Sequence, residues 1–407
     1  MIERKEYLDK LFEWKDKAVI KVVTGIRRSG KSTLLEQYRA RLIEGGVSRE
    51  QIVSINFEEL EHEALQDRHE LYAFLKGKLR QGQMTYIFLD EVQKVDGFEQ
   101  VVDSLYVKEN VDLYITGSNS WLLSGELATL LSGRYIEIGM LPFSFAEFFE
   151  SRGGGDRDRL FAEYMADGGF PYLAALNGTR ESVDIYLEGI YNTVILKDIE
   201  ERQRRRAGEP DRRRVTDLAL LKNISKFLAS SVGSPVSVKK IADFITSSGR
   251  KVSQNTVDDY VEALVQAFVF YRAERYDVEG KQLLVQNAKF YIVDLGLRRY
   301  LLPRCNYDLG FSLENIVYLE LRRRGFSVNV GKVGASEVDF VARKGDEITY
   351  FQVSASLTDE STFAREIVPL RKIGDDHRKK ILTLDRFTPG NYDGIEVIHA
   401  ADWLLQR

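Results

Sequence analysis

From residue 18 to residue 138 the apolar positions gather in five short runs: Ala18-Val19-Ile20-Lys21-Val22-Val23, Ile52-Val53-Ser54-Ile55-Asn56-Phe57, Tyr86-Ile87-Phe88-Leu89, Leu113-Tyr114-Ile115-Thr116 and Tyr135-Ile136-Glu137-Ile138. Helical spacing fills the gaps between the earlier runs, and Tyr7, Leu8, Leu11, Phe12 and Trp14 predict a lead-in helix ahead of the first. Alternating strand and helix predicts a mostly parallel α/β sheet, with any ligand held at the carboxyl ends of its strands.

The first run leads directly into Gly25-Ile26-Arg27-Arg28-Ser29-Gly30-Lys31-Ser32, and the amphipathic stretch Thr33-Leu34-Leu35-Glu36-Gln37-Tyr38 follows. A loop between a buried strand and a helix is the setting that phosphate binding needs. Gly25 and Gly30 let the backbone of Ile26, Arg27, Arg28 and Ser29 turn tightly and aim its N–H groups inward. The helix starting near Lys31, with Thr33 in its first turn, adds a positive dipole end; Lys31 reaches the outer phosphates and the Ser32 hydroxyl ligates Mg²⁺.

The third run ends in Asp90-Glu91, where the first acid can hold Mg²⁺ through water and the second can orient and deprotonate an attacking water. The fourth ends in Thr116-Gly117-Ser118-Asn119, which puts a polar side chain beside the γ-phosphate; Asn119 is favoured and Ser118 is the alternative, against the plainer reading of a turn-forming cluster. Arg134, just before the fifth run, has two readings of equal standing. It is either a finger presented to a neighbouring subunit's nucleotide or a strand-edge ion pair.

Together with Leu89-Asp90-Glu91-Val92-Gln93, Thr116-Gly117-Ser118, Ser132-Gly133-Arg134 and Leu141-Pro142-Phe143-Ser144-Phe145-Ala146-Glu147, the loop resembles, nearly end to end, a family of bacterial and archaeal AAA-type ATPases. Members carry a winged helix and a restriction-endonuclease-like domain behind the ATPase. The resemblance implies a P-loop sheet with an additional strand, ATP and Mg²⁺ as cofactors, and hydrolysis that depends on a homo-oligomer.

Later stretches fit that order. Ser151-Arg152-Gly153-Gly154-Gly155-Asp156 is a flexible charged break and a candidate domain boundary. Gly168-Gly169-Phe170-Pro171-Tyr172 and Thr193-Val194-Ile195-Leu196-Lys197-Asp198-Ile199 resemble family signatures without an evident chemistry. Arg202–Arg214 holds seven arginines against two acids, a local charge of +5 suited to gripping phosphate, unless it is a solvated linker. Three apolar stripes follow, through Leu218, Val238 and Val257, and then strand candidates near Val269 and Phe290. This order matches a winged helix in which Ser253-Gln254-Asn255-Thr256 caps the third helix. Asp258, Asp259 and Glu262 on that helix would repel phosphates, while Lys239, Lys240, Arg250 and Lys251 flank it.

In PD-(D/E)XK nucleases an acid on the first helix, an Asp on the next hairpin and a Glu-x-Lys gather metal ions at the scissile phosphate. Glu314 and Asp339 stand at the first two positions, but Gln352-Val353-Ser354 replaces the third, so the fold is expected without efficient cleavage unless Lys332 or Lys344 supplies the cation.

The chain of 407 residues, 44% hydrophobic, is long enough for two or three domains. The division expected is 1–150 for the ATPase, 151–212 for a helical connector, 213–300 for the winged helix and 301–407 for the nuclease-like part. A net charge of −4 gives no global bias toward nucleic acid, so DNA contact falls to Arg202–Arg214 and the winged helix, with a protein partner as the alternative. One cysteine, Cys305, excludes internal disulfides, and four scattered histidines disfavour zinc. Without a membrane-length apolar run or a signal-type N-terminus, the expected location is the cytoplasm.

Overall fold

The computed structural model describes residues 2–118, 131, 133–176, 179–193, 217–303 and 308–406. The chain divides into two compact units, Met1–Met140 with Gln266–Phe268, and Leu141–Val265 with Val269–Arg407.

In the first unit the apolar runs are strands: β1 (Ile20–Thr24), β2 (Ile52–Asn56), β3 (Thr85–Asp90), β4 (Val111–Gly117) and β5 (Tyr135–Gly139). All are parallel, in the order β2-β3-β4-β1-β5, so β4 is the additional strand between the loop-bearing β1 and β3. The period of two divides each strand between two cores. Val22, Ile87, Leu89, Leu113 and Ile115 pack with α3 (Arg68–Lys78) and α4 (Phe98–Tyr106), whereas Val23, Phe88 and Tyr114 pack with α1 (Lys5–Glu13) and α2 (Lys31–Glu44). Burying both faces explains why the runs are continuously apolar. Each such side chain contributes ~1.5–3 kcal/mol.

Lys21 interrupts β1 yet is fully buried. Its ammonium pairs with Asp112 on β4 and donates to Lys17 O at 3.0 Å, and Tyr114 Oη donates to Asp112 at 2.8 Å.

The second unit opens with α5 (Phe145–Ser151), α6 (Arg157–Asp167), α7 (Pro171–Ala175) and α8 (Arg180–Thr193). The Leu141–Glu147 signature is a capping box: Glu147 N donates to Ser144 Oγ at 3.1 Å and Ser144 N to Glu147 Oε2 at 2.8 Å. Gly153, Gly154 and Gly155 have positive φ and turn the chain from α5 into α6, and the compact units divide earlier, at Met140.

Then come α9 (Leu218–Ser230), β6 (Pro235–Val236), α10 (Val238–Ser247), α11 (Gln254–Gln266), β7 (Phe270–Asp277), β8 (Gln282–Ile292) and α12 (Leu295–Leu301). The remainder is α13 (Leu309–Arg323), β9 (Ser327–Val333), β10 (Ser336–Lys344), β11 (Glu347–Ser354), α14 (Glu360–Lys372), β12 (Arg378–Thr383), β13 (Gly390–Tyr392), β14 (Ile395–His399) and α15 (Ala400–Leu405). The strands form one nine-stranded sheet, β13-β14-β12-β11-β10-β9-β7-β8-β6. β7 pairs parallel with β9, Arg275 opposite Val330, so the sheet crosses residue 300 without a break.

The Gly168-Gly169-Phe170-Pro171 signature has a structural reason. Gly169 N donates to Asp294 Oδ2 at 2.6 Å, and a Cβ on Gly168 would lie 2.0 Å from Asp294 Oδ1. No described helix is long and apolar enough to cross a membrane.

Candidate functional site

The loop from Gly25 to Gly30 joins the carboxyl end of β1 to α2. Gly25 has φ +145°, and a Cβ there would lie 2.1 Å from Met140 O, so only glycine fits against the chain leaving β5. Gly30 has φ +98° and caps α2 without a side-chain hydrogen bond. No acidic residue occupies the first turn, which leaves the N–H groups and the positive helix end of Lys31, Ser32 and Thr33 to an anion. Arg28, at φ +66°, adds strain of the kind that concentrates at functional loops. Ile26 is buried, Arg28 is exposed, and the buried Ser29 Oγ has no hydrogen-bond partner among the described residues.

Lys31 is 5% exposed, and its Nζ donates to Gly25 O at 3.0 Å and lies 3.6 Å from Glu91 Oε1. Asp90 ends β3, buried, and accepts from Ser32 and Thr116. Burial pushes its carboxyl above the ordinary value, and those hydroxyl bonds only partly offset the effect. The Thr116 hydroxyl also accepts from Glu91 N at 2.9 Å and so joins both acids to β4.

Glu91 sits at φ +53°, a left-handed conformation that costs of order 1 kcal/mol or more for a residue with a Cβ. Burial raises its carboxyl, but Lys31, Arg27, Gln93 and Ser118 together outweigh that and hold it below the ordinary value. Gln93 Nε2 donates to Glu91 Oε2 and reaches Ser118 Oγ at 3.4 Å, while Gln93 Oε1 is buried without a partner among the described residues. Arg27 Nη1 also pairs with Glu58 at 3.0 Å.

The structure therefore brings together Lys31, Ser32, Asp90, Glu91 and Ser118. Asn119 lies outside the described residues, as do Ser132, Val194–Ile199, Arg202–Arg214 and Cys305. Arg134 stands elsewhere. Its O accepts from Ile20 N at the start of β1, about 16 Å along the sheet from the loop. Its guanidinium pairs with Asp103 at 2.5 Å and lies over Tyr106.

Three participants escaped the sequence reading. Thr116 and Gln93 lie inside the quoted motifs, but nothing in their spacing tells that they hold Glu91. Arg4, 2% exposed, donates from Nη1 to Ser29 O at 3.0 Å and fastens the N-terminal segment to the loop. An arginine in an amphipathic lead-in carries no such signal.

The donor set fits Mg²⁺. A hydroxyl and a buried carboxylate stand in hydrogen-bond contact at an open helix N-terminus, and a hard cation takes oxygen ligands.

In the second unit Glu314 on α13 and Asp339 on β10 are buried and close together around a cation. That cation is Lys289 of β8, with Nζ at 2.9 Å from Glu314, 2.8 Å from Glu337 and 3.6 Å from Asp339. Lys344 instead donates to Arg324 O. Burial, then Glu314, push Asp339 well above the ordinary value, and burial pushes Glu314 up against the pull of Lys289 and Tyr291. No cluster of three or more His, Cys, Asp or Glu residues among the described residues is arranged to hold a metal.

A parallel sheet with an additional strand, a glycine-bounded loop at a bare helix start and an Asp-Glu pair beside it define an AAA-type P-loop ATPase. Residues 17–149 match the family model of the AAA domain, and residues 158–308 match a domain of unknown function. An uncharacterized protein of Haemophilus influenzae is 42% identical over 412 residues, covering 100% of this chain and 99% of its own. One from Methanocaldococcus jannaschii is 30% identical over 409 residues, covering 94% and 85%. The chain belongs to the family of these AAA-domain proteins. Among solved structures, the Walker-type ATPase of Pyrococcus abyssi is similar in fold, with a TM-score of 0.50 at 16% identity over 74% of this chain and 96% of that one.

Proposed function

We propose that the chain is a Mg²⁺-dependent, oligomeric ATP hydrolase associated with DNA. The observation that carries the chemistry is the meeting of Lys31, Ser32, Asp90, Glu91 and Ser118 at the carboxyl ends of three neighbouring strands. In this reading the loop N–H groups and Lys31 hold the phosphates, and Ser32 with Asp90 would hold the metal. A Mg²⁺ ion held there would supply the positive charge that offsets charge developing on the phosphate oxygens. Glu91, kept ionised by its neighbours, takes the proton of the attacking water, and Ser118 lines the outer-phosphate side. Asn119 remains the favoured γ-phosphate contact of the same strand end. Arg134 acts as a finger only if its pair with Asp103 opens toward a second subunit.

The winged-helix reading of the middle segment is supported by the order α9-β6-α10-α11-β7-β8, with β6 antiparallel to β8 and Ser253 Oγ accepting from Thr256 N at 3.1 Å at the start of α11. The nuclease-like reading is supported by α13, the β9-β10-β11 meander, and β12 parallel to β11 beyond α14. Exposed Lys239, Lys240 and Lys251, with the Arg202–Arg214 stretch, offer phosphate contacts.

A second reading, an ATP-gated scaffold for a protein partner, has its own observation. Asp258 is exposed on α11, while Arg250 is committed to Asp217 and Arg272 to Glu262, which lowers the positive charge near that helix. ATP hydrolysis measured with and without single- and double-stranded DNA, across protein concentrations and with Lys31→Ala as blank, separates the two. Turnover that rises with DNA, and faster than linearly with protein, supports the DNA-associated oligomer. Turnover indifferent to DNA transfers the lead to the scaffold.

A further inference from the structure

Gln352 and Ser354 stand where a metal-dependent nuclease carries an acid and a lysine. The structure shows what the remaining acids do instead. Lys289 and Tyr291 lie two apart on β8 and therefore point to one face, where both meet Glu314: Nζ at 2.9 Å and Tyr291 Oη, donating, at 2.6 Å. The same ammonium reaches Glu337 at 2.8 Å and Asp339 at 3.6 Å and is 3% exposed. The other oxygen of Asp339, Oδ2, accepts from Val353 N at 2.9 Å. Gln352 lies between Asp339 and a further buried acid, Glu366: Oε1 accepts from Asp339 N at 3.3 Å and Nε2 donates to Glu366 Oε2 at 2.6 Å. Ser354 Oγ donates to Ser356 O at 2.9 Å.

We propose that the Lys289 ammonium occupies the position of the catalytic cation in the nuclease-like site, so that an internal salt bridge replaces the metal and the fold holds together without cutting. This rests on the nuclease-like reading of α13 and β9–β12. A fixed positive charge bonded to Glu314 and Glu337 repels a divalent ion at close range and takes the carboxylate oxygens that would bind it. Each acid that remains from the nuclease pattern is thus held by partners within the protein. The bridge has a second effect. It ties the β8 hairpin to α13 and β10, and Asn315 strengthens that tie by accepting from Ile292 N at 2.8 Å and donating to Ile292 O at 2.9 Å.

The test is Mn²⁺ titration of the nucleotide-free full chain, with free Mn²⁺ followed by electron paramagnetic resonance. Wild type is expected to show no Mn²⁺ site that Asp339→Asn removes. Lys289→Met is expected to gain one, with affinity raised at least about tenfold, and Asp339→Asn in the same chain to abolish it. Should Lys289→Met be too unstable to titrate, Lys289→Met with Glu337→Gln removes one charge of each sign and carries the same arms. A wild-type site lost in Asp339→Asn overturns the proposal but leaves the nuclease-like reading standing. A folded Lys289 variant that gains no site overturns both, since the acids then do not form a metal-binding frame.

Discussion

Replacing Gln93 by leucine keeps the side-chain volume and removes the amide. In the structure that amide donates to Glu91 Oε2 and lies 3.4 Å from Ser118 Oγ, and all three residues are buried. A hydrogen bond to a charged group contributes ~1.5–3 kcal/mol, and it is felt here by the carboxylate proposed to face the attacking water. At about 1.4 kcal/mol per factor of ten, single-turnover ATP hydrolysis should slow by roughly 10- to 100-fold. Affinity for ATP, measured with a fluorescent analogue, should change by less than about threefold, because the amide of Gln93 bonds to Glu91 and Ser118 and not to the loop from Gly25 to Gly30. A second readout separates positioning from packing. Burial raises the Glu91 carboxyl and Gln93 is among the groups that lower it, so its loss should move the acid limb of the pH–rate profile upward. Hydrolysis at the wild-type rate with an unmoved acid limb would refute the assignment, and so would a loss of ATP affinity that accounts for the whole effect.

Three further outcomes follow from the same geometry. Glu91→Gln should bind ATP and hydrolyse it about 10²- to 10⁴-fold more slowly, as measured by phosphate release; normal turnover would remove Glu91 from the chemistry. Asp112→Ala should cost about 3–5 kcal/mol in urea unfolding, because Lys21 is left buried and unpaired, and Lys21→Met in the same chain should restore much of it. Burial raises the Asp294 carboxyl from its ordinary 3.8 to about 6, despite backbone bonds from Gly169, Leu297 and Gly296. The folded state therefore binds this proton more tightly, and the stability tied to the protonated form is lost as pH rises from about 4 through about 6, an effect of about 3 kcal/mol. Asp294→Ala should accordingly destabilise the chain more at pH 4.5 than at pH 7.5 in thermal melts.

The five strands of the first unit and the loop were legible because their causes are local. A strand buried on both faces must be continuously apolar, and a tight turn into a helix needs glycine at fixed places; Gly25 is confined by Met140 O 2.1 Å from its absent Cβ. The acids of the site were legible for the same reason, since both stand at the end of one apolar run. Their supports were not. Thr116 reaches Asp90 and Glu91 only because β4 is inserted between β1 and β3, a neighbour relation that spacing along the chain does not carry. Arg4 reaches Ser29 O through the packing of α1 against α2.

The second unit shows the same limit in its charges. A motif read along β10 and β11 finds two missing charges and looks for a substitute nearby, at Lys332 or Lys344. The sheet order instead lays β8 beside β7, and β7 beside β9, so that Lys289, from the segment read as part of a winged helix, arrives over the acids of the next segment. A boundary drawn at residue 300 separates the two halves of that ion cluster, and neither half explains itself. Alone, Lys289 is a buried cation in a hairpin strand, which burial would discharge; alone, Glu314 and Asp339 are buried acids that burial would protonate. Each is tolerable only because the other is present. The segments on either side of residue 300 are therefore coupled by electrostatics as well as by the β7–β9 pairing, and a chain cut there should expose an unpaired lysine on one fragment and uncompensated acids on the other.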